Sequence, residues 1–260
     1  MPNDGVSFRT VPLSANRLAI VDSLQVAKRK PAIQFVGTLE VTNARRALRD
    51  HADRTGQRLS FTAFVVHRLA QAVDENKTMH AYRHGRRLVI FDDVDVCVLV
   101  EHEVGTDRVA APHVIRAANR LSLSQIHEEI RAAQKGGAAA EESWRFLRFY
   151  PWIPGFVRRL FWRMMYSQPA FMKRTAGTVC VTALGMFASG GGWGIPVSGY
   201  TLTLTVGGIA TQTEVVDGQA VRREHLSLTI SADHEVIDGG MLARFVGRFG
   251  ELLGSAAGIE

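Results

Sequence analysis

The sequence has little cysteine: Cys97 and Cys180 are the two among 260 residues. So sparse a set cannot form the disulfide framework that stabilises small secreted domains, and it favours a reducing compartment. Cys97 lies in the apolar run Val96–Val98, which predicts a buried, inert thiol, and Cys180 is interpreted in the same way as core packing. Cys180 has no nearby His or Lys in sequence that would activate it.

The sequence also has no uninterrupted apolar run of the ~18 residues that cross a bilayer, and residues 1–14 are polar without a signal-peptide core. It has no fixed-period repeat and no long Pro/Ser/Gly linker. With 46% hydrophobic and 22% charged residues and a mean hydropathy of zero, the composition excludes disordered, collagen-like and coiled-coil classes. We therefore expect one cytoplasmic globular domain over residues 1–260.

Acidic residues are scarce in one place. The chain carries 31 Lys and Arg against 25 Asp and Glu, a formal charge of +6. Residues 144–174 contain seven basic residues, ten aromatic residues and no acidic residue, so the remainder is close to neutral. We interpret residues 136–176 as a helical segment within the domain, the basic-aromatic insert.

The predicted strands and helices are mixed without a regular βαβ alternation. Ser14, Ser60 and Ser122 each have the position of a helix N-cap before an apolar periodic segment. Alternating apolar residues predict strands at Thr178–Thr182, Tyr200–Gly207 and His225–Ser231, followed by a closing helix. This pattern favours an α+β fold over a doubly wound sheet.

A glycine-rich run, Ser189–Gly194, invites interpretation as a phosphate cradle. However, Pro196 and a strand follow it rather than a helix N-terminus, and it lacks the GKS and GxGxxG patterns. We expect a connection that lets its backbone pass close to another part of the chain.

The segment Asp233–Gly239 contains the residues best suited to chemistry. A predicted strand, Leu226–Ser231, leads to His234 in a loop, and Asp238 stands where an N-cap of the last helix is expected. From these residues alone, a structural histidine and a catalytic base both remain open.

Four segments resemble one protein family. His234, Asp238 and Gly239 match the His-x-x-x-Asp-Gly motif of the chloramphenicol acetyltransferase-like superfamily. The longer Asp-His-x-x-x-Asp-Gly form is similar to the catalytic domain of dihydrolipoyl acyltransferases, the cores of 2-oxo acid dehydrogenase complexes. Three further resemblances occur in the family's order, at Pro12–Ile20, Asn119–Arg131 and Gly177–Phe187. The resemblance implies an α+β, two-layer sandwich in which helices flank a mixed β-sheet.

The resemblance also implies roles for individual residues. His234 would be the general base that deprotonates a thiol, whose thiolate attacks a thioester carbonyl; imidazole has a suitable pKa for this step. Thr182 occupies the position of the family's serine, which donates a hydrogen bond to the oxyanion. Asp238 would pair with Arg17 and so hold the histidine loop, with Gly239 supporting the turn.

Two positions depart from the family pattern. Glu235 stands where the acyltransferases usually have arginine, and Ala183 replaces an asparagine. These departures support an alternative, a catalytically weak or inactive homologue that forms only a structural core or cage. The leading hypothesis remains a CoA-dependent acyltransferase, because the histidine, the Asp-Gly pair and a hydroxyl at position 182 are all present.

The expected partners follow from the resemblance. Coenzyme A or acyl-CoA is expected as a substrate, with no metal. The sequence has no Asp-Lys-Ala lipoylation site, so we expect a form without lipoyl and subunit-binding domains whose acyl group arrives on CoA, on a free thiol or on a lipoyl-bearing partner protein. The family's active sites lie between subunits of a trimer, which implies a homotrimer, and such trimers also assemble into larger cages.

The basic-aromatic insert leaves three roles open. Phe156, Leu160 and Met164 fall on one helical face away from the arginines at positions 158, 159 and 163, which predicts a basic amphipathic helix over Pro154–Tyr166. Such a helix could place residues 144–174 on an anionic membrane as a peripheral attachment, cover an acyl-binding tunnel, or pack at a subunit interface. No recognised binding module accompanies the basic residues, so nucleic acid is not expected.

Overall fold

The computed structural model describes residues 7–104, 107–136, 149–185, 190–256 and 259. Within these residues there are seven α-helices: α1 Ala15–Ala27, α2 Thr42–Thr55, α3 Phe61–Glu75, α4 Leu123–Gln134, α5 Gly155–Ser167, α6 Pro169–Ala176 and α7 Gly239–Gly254. The strands are β1 Ala32–Glu40, β2 Tyr82–His84, β3 Arg87–Val89, β4 Val96–Val104, β5 Asp107–Ile115, β6 Val179–Ala183, β7 Leu202–Val216 and β8 Gln219–Asp233.

Six of the strands form a mixed sheet in the order β1-β8-β7-β6-β4-β5. Strand β6 runs parallel to both of its neighbours, β4 and β7, whereas the other pairs are antiparallel. Strands β2 and β3 form a separate hairpin. The mixed sheet with flanking helices confirms the predicted α+β class.

One face of the sheet holds the main hydrophobic core. Successive side chains of a strand point to opposite faces, so Leu202, Leu204 and Val206 of β7 lie on the same side, level with Leu228 and Ile230 of β8. They pack with buried residues of α2, α3, α4 and α7. The predicted caps at the starts of α1, α3 and α4 are confirmed. The side-chain hydroxyl oxygens of Ser14, Ser60 and Ser122 each accept a hydrogen bond from a backbone N–H in the first turn of the helix.

The opposite face is lined by hydroxyl and thiol groups, and we name it the hydroxyl face. It carries the alternate residues of the same strands: Cys97, Cys180, Thr182, Thr203, Thr205, Ser227, Thr229 and Ser231. Both cysteines are buried, as predicted. They also lie directly opposite each other on β4 and β6, a pairing that the sequence did not suggest.

The glycine-rich run crosses the hydroxyl face. Gly192 N–H donates to Ser227 Oγ at 3.2 Å, and Trp193 Nε1 donates to the carbonyl of Gly37 at 2.7 Å. A Cβ placed on Gly207 would lie 2.0 Å from the carbonyl oxygen of Gly192. The predicted close backbone approach is therefore confirmed for the described part of this run, which begins at residue 190.

The described part of the basic-aromatic insert packs on α1. Helix α5 confirms the helix predicted for Pro154–Tyr166, shifted by one residue. Arg158 Nε lies 2.9 Å from the buried carboxylate of Asp22, and Tyr150 donates its hydroxyl proton to the same carboxylate at 3.0 Å. Trp162 Nε1 donates to Tyr150 Oη at 2.9 Å. Residues 137–148, including Trp144, lie outside the described residues.

None of the helices in the described ranges has both the length and the apolarity needed to pass through a bilayer.

Candidate active site

His234 follows the last residue of β8, where the sheet ends. Its backbone N–H donates to the carbonyl of Pro31 at 2.8 Å, just before β1 begins, and its side chain is exposed. The backbone at His234 is therefore held at the end of β8 by a hydrogen bond while the side chain is exposed. This arrangement leaves the ring accessible to a substrate or to another subunit.

Asp233 anchors the loop that carries His234. Its side chain is almost fully buried, with Oδ2 2.8 Å from Lys30 Nζ and Oδ1 accepting the N–H of Glu235 at 3.0 Å. The carbonyl of Asp233 accepts the N–H groups of Val236 and Ile237 at 3.0 and 2.9 Å. One buried carboxylate and one carbonyl thus stabilise the turn on both sides of the histidine.

Lys30 connects this loop to the β2 strand. The Lys30 ammonium lies 5.1 Å from the centre of the Tyr82 ring, a cation–π distance, while it pairs with Asp233. A buried carboxylate needs such a partner, because an isolated charge at low dielectric is costly. Sequence reasoning missed the pair. The basic run Lys28–Lys30 was visible, but nothing local connects it to a residue some 200 positions away.

Asp238 caps the last helix, as predicted. Its Oδ1 accepts the N–H of Met241 at 2.7 Å, and Gly239 is the first residue of α7. The predicted Asp238–Arg17 ion pair is not formed in this structure: Arg17 is exposed on α1 and, among the described residues, no ion pair joins the two. Helix α1 packs against α5, and its connection to the motif is made beyond its C-terminus by Lys30.

Glu235 has a partner that the sequence did not reveal. Arg83 Nη1 on β2 lies 2.6 Å from Glu235 Oε1, and both side chains are largely exposed. The residue that departs from the family pattern is thereby balanced by a cation from another element. An exposed pair of this kind contributes ~0–1 kcal/mol, so its effect on stability is small.

Thr182 lies on β6, on the hydroxyl face, and is partly buried. It pairs in register with Thr205 of β7, which pairs with Thr229 of β8. Its neighbour Ala183 packs against the hydrophobic core on the other face. Position 183, where the family has asparagine, faces the apolar core in this protein. Alanine suits that environment.

The two predicted catalytic groups are far apart within one chain. Val179 on β6, Leu202 on β7 and Ala232 on β8 lie side by side across the sheet. Thr182 lies three residues from this row toward one end of the strands. His234 lies two residues from it toward the opposite end. Five residues at ~3.3 Å and two strand spacings of ~4.8 Å place their backbones roughly 20 Å apart. A single chain does not bring them together.

His80, in contrast to His234, is fully buried. Its Nδ1 lies 3.0 Å from Thr178 Oγ1 and its Nε2 3.1 Å from the Phe91 carbonyl, an arrangement that suits a neutral ring with the proton on Nε2. Burial lowers the pKa of His80 to about 4. The ring is therefore a neutral structural group. Across the described ranges, no three His, Cys, Asp or Glu side chains converge as metal ligands.

Comparison with known proteins identifies the family. A sequence model described as "2-oxoacid dehydrogenases acyltransferase (catalytic domain)" matches residues 6–142 and 166–259. Together these ranges include most of the chain and all of the predicted site residues. The unmatched residues 143–165 lie inside the basic-aromatic insert.

Similar sequences agree with this match. The lipoamide acyltransferase component of the branched-chain alpha-keto acid dehydrogenase complex of Bacillus subtilis is 25% identical over 98% of this chain and 54% of its own length. The chain thus spans about half the length of the curated relatives it matches.

Solved structures show the same fold. The dihydrolipoamide acetyltransferase of Azotobacter vinelandii has a TM-score of 0.73 at 21% identity, covering 100% of this chain and 98% of its own. The cubic core of a pyruvate dehydrogenase multienzyme complex has a TM-score of 0.69 at 20% identity, covering 100% and 98%. The chain belongs to the family of 2-oxoacid dehydrogenase acyltransferase catalytic domains.

Proposed function

We propose that this protein is an acyltransferase that moves an acyl group between a thioester, on CoA or a lipoyl-type thiol, and an acceptor. The observation that carries the proposal is the position of His234, whose backbone is anchored through Asp233 and Pro31 while its ring is exposed. A loop held this firmly around an exposed imidazole suits a base that must meet a mobile substrate. Family membership supplies the reaction class.

The chemistry requires a base and an oxyanion donor. A thiol with a pKa near 8.5 is mostly protonated at neutral pH, and an imidazole with a pKa near 6.5 is suited to accept its proton as the sulfur attacks. The attack places negative charge on the thioester oxygen. The Thr182 hydroxyl donates a hydrogen bond to that oxygen, a contribution of roughly 3 kcal/mol in comparable sites. Collapse of the intermediate expels the first thiol, which recovers the proton from His234.

The separation of these groups supports an active site between subunits. Thr182 and His234 of one chain are too far apart to act on one carbonyl. The histidine of one chain must therefore act together with the threonine of a neighbouring chain. We propose a homotrimer in which His234 of one subunit faces Thr182 of the next. The cubic core of the structurally similar pyruvate dehydrogenase complex supports further assembly of such trimers.

The Azotobacter protein supports the choice of residues. A serine, a histidine and an asparagine have been investigated there for roles in the catalytic mechanism, with the asparagine four positions after the histidine and the serine 52 positions before it. The same spacings here separate His234 from Asp238 and from Thr182. Threonine retains the hydroxyl, and Asp238 retains a polar group that caps α7.

The acyl group is proposed to arrive from acyl-CoA or from a lipoyl-bearing partner protein. The relatives are components of 2-oxo acid dehydrogenase complexes, whose names include a lipoamide acyltransferase and dihydrolipoyllysine-residue acyltransferases. A lipoyl thiol and the CoA thiol have the same nucleophilic group. One base can therefore serve both directions of transfer.

The first experiment replaces His234 by alanine and measures acyl transfer from acetyl-, succinyl- and isobutyryl-CoA to dihydrolipoamide. We expect the rate to fall by about 10²–10⁴, since the step loses its general base. His113→Gln, which changes a half-buried histidine on β5 away from this loop, is the matched control and should retain the parental rate. Equal, measurable rates for the parent and the His234 variant would refute the assignment of His234 as the base, and a parent without transfer activity would favour the structural-core alternative.

The second experiment tests the shared site. His234→Ala and Thr182→Val homomers should each be nearly inactive, and subunits of the two variants that have been mixed and reassembled should regain part of the parental rate. The gain is expected because some interfaces then combine an intact histidine with an intact threonine. No gain in mixed assemblies would place both groups in one subunit and contradict the proposed trimeric site.

A further inference from the structure

We propose that the outer face of α5, with the turn before it, docks onto the surface of an anionic lipid bilayer. We name this surface the α5 patch; its apolar members are Phe149, Trp152, Ile153, Phe156, Val157, Leu160, Phe161 and Met164. The proposal concerns attachment and does not depend on the acyltransferase function.

The apolar side of α5 points outward. Phe156 is 68% exposed, Leu160 62% and Trp152, in the preceding turn, 87%. A surface helix normally turns its apolar stripe toward the core. Here Met165, Trp162 and Tyr166 pack inward beside the Arg158–Asp22 pair, and α5 has a second apolar side that faces outward. The resulting contiguous apolar surface is the kind that soluble monomers seldom expose without a partner.

Cations border the patch. Arg159 and Arg163 are exposed on α5, one helical turn apart, beside Phe156 and Leu160. No acidic residue occurs in the sequence from position 143 to position 213, and the nearby Asp22 is buried under Arg158. The exposed charge at this surface is therefore positive.

This combination favours an anionic bilayer as the occupant. Exposed aromatic and aliphatic side chains enter the boundary between headgroups and acyl chains, while arginines at the edge contact the anionic headgroups. Trp152 suits this boundary, where tryptophan is enriched. Docking of the patch on a second copy in a two-fold contact would bring Arg159 and Arg163 of both chains together without an acidic residue, which is unfavourable.

The geometry of α5 fits attachment in the plane of the bilayer. The helix has 13 residues, and at 1.5 Å per residue its length is about 20 Å, too short to cross the ~30 Å hydrocarbon layer. Its exposed apolar residues lie along one side over the full length of the helix. A helix lying flat can bury them together, and the opposite side remains packed on α1.

The test is vesicle binding by the full chain. We expect it to co-sediment with phosphatidylcholine vesicles that contain phosphatidylglycerol, more weakly with phosphatidylcholine alone, and less as salt is raised. Its tryptophan emission should shift to the blue on binding, and Trp152→Phe should remove most of the shift. The double variant Phe156→Ser, Leu160→Ser should weaken partitioning at least about tenfold.

A matched control changes an exposed apolar residue elsewhere. Val215, 78% exposed near the tip of the β7–β8 hairpin, should be replaceable by serine without effect on vesicle binding. Far-ultraviolet circular dichroism of each variant verifies that the fold is retained. Equal binding to both vesicle types, or no binding to either, would overturn the proposal. A patch variant whose sedimenting mass differs from that of the parent in the absence of lipid would also overturn the proposal. That result would assign the α5 patch to contacts between copies of the chain.

Discussion

Lys30 Nζ lies 2.8 Å from the buried Asp233 Oδ2, and this ion pair joins the segment before β1 to the residue immediately before His234. It differs from the pair expected from the sequence, Arg17 with Asp238, in both the cation and the carboxylate. The pair acts on the histidine through the backbone, because Asp233 also accepts the N–H groups of Glu235, Val236 and Ile237. Lys30 and Asp233 are therefore positioning residues of the proposed site.

Replacement of Lys30 by methionine should lower kcat for acyl transfer by about 10–100-fold with little change in KM. The variant leaves a buried carboxylate without its cation, a loss that costs about 3–5 kcal/mol in comparable cases and displaces the histidine loop. Steady-state kinetics together with thermal unfolding would measure both effects. Lys30→Arg keeps the charge and should restore most of kcat.

A matched control for this prediction is Glu235→Gln, which removes an exposed ion pair in the same loop and should change the melting temperature little. A Lys30→Met variant with the parental kcat would show that the pair does not position His234. A fall in stability without recovery of kcat in Lys30→Arg would likewise argue against positioning.

Gly207→Ala should destabilise the protein by about 3 kcal/mol or more. The new Cβ would lie 2.0 Å from the Gly192 carbonyl oxygen and 2.9 Å from that of Ser227, and both obstacles are backbone. Denaturant unfolding measures the loss. Gly247→Ala is the control: its Cβ meets no atom within 4 Å in α7, so it should stabilise the helix by about 0.5–1 kcal/mol. A harmless Gly207→Ala would contradict the close crossing of the two segments.

The stability of the protein should depend on His80 in a defined pH window. Its pKa is about 4 in the folded protein because the ring is buried, and 6.5 is the ordinary value in the unfolded chain. Between these values the unfolded state binds more protons. The contribution of the neutral His80 ring to the free energy of unfolding is therefore complete above pH 6.5 and is lost as the pH falls toward 4.

Unfolding free energies measured at intervals from pH 7 to pH 4 would test this dependence. His80→Gln should reduce the slope in this window, although acidic residues still contribute to both proteins. His84→Gln, at an exposed position on β2, should keep the parental slope. Identical slopes for the parent and the His80 variant would show that the ring does not carry the effect.

Sequence predicted some elements well and others incompletely. The last helix was placed correctly because Asp238 is a strong cap and an apolar periodicity follows it. Strands β7 and β8 are longer than the predicted Tyr200–Gly207 and His225–Ser231. Beyond the core they form a polar hairpin turned by Asp217 and Gly218, both at positive φ, and exposed strands lack the apolar alternation on which the prediction depends.

The sequence indicates candidate residues for the site but not their arrangement. The order of motifs makes His234, Thr182 and Asp238 the candidates, and of their predicted roles the helix cap formed by Asp238 is local enough to predict and is observed. The Arg83–Glu235 pair was not predictable, because its partners are 152 positions apart and meet only where the β2–β3 hairpin packs beside the loop. The Lys30–Asp233 pair was not predictable for the same reason, since its partners are also far apart in the sequence.

The sequence by itself determined the class of fold, the residue types available for chemistry and the confinement of the excess positive charge to one insert. These follow from local periodicity, capping and composition. Tertiary structure alone decided that Lys30 pairs with Asp233, that Thr182 and His234 lie on opposite sides of one level of the sheet, and that the apolar side of α5 faces outward. Each of these depends on strand order or on how a helix docks, which are set by contacts between distant parts of the chain.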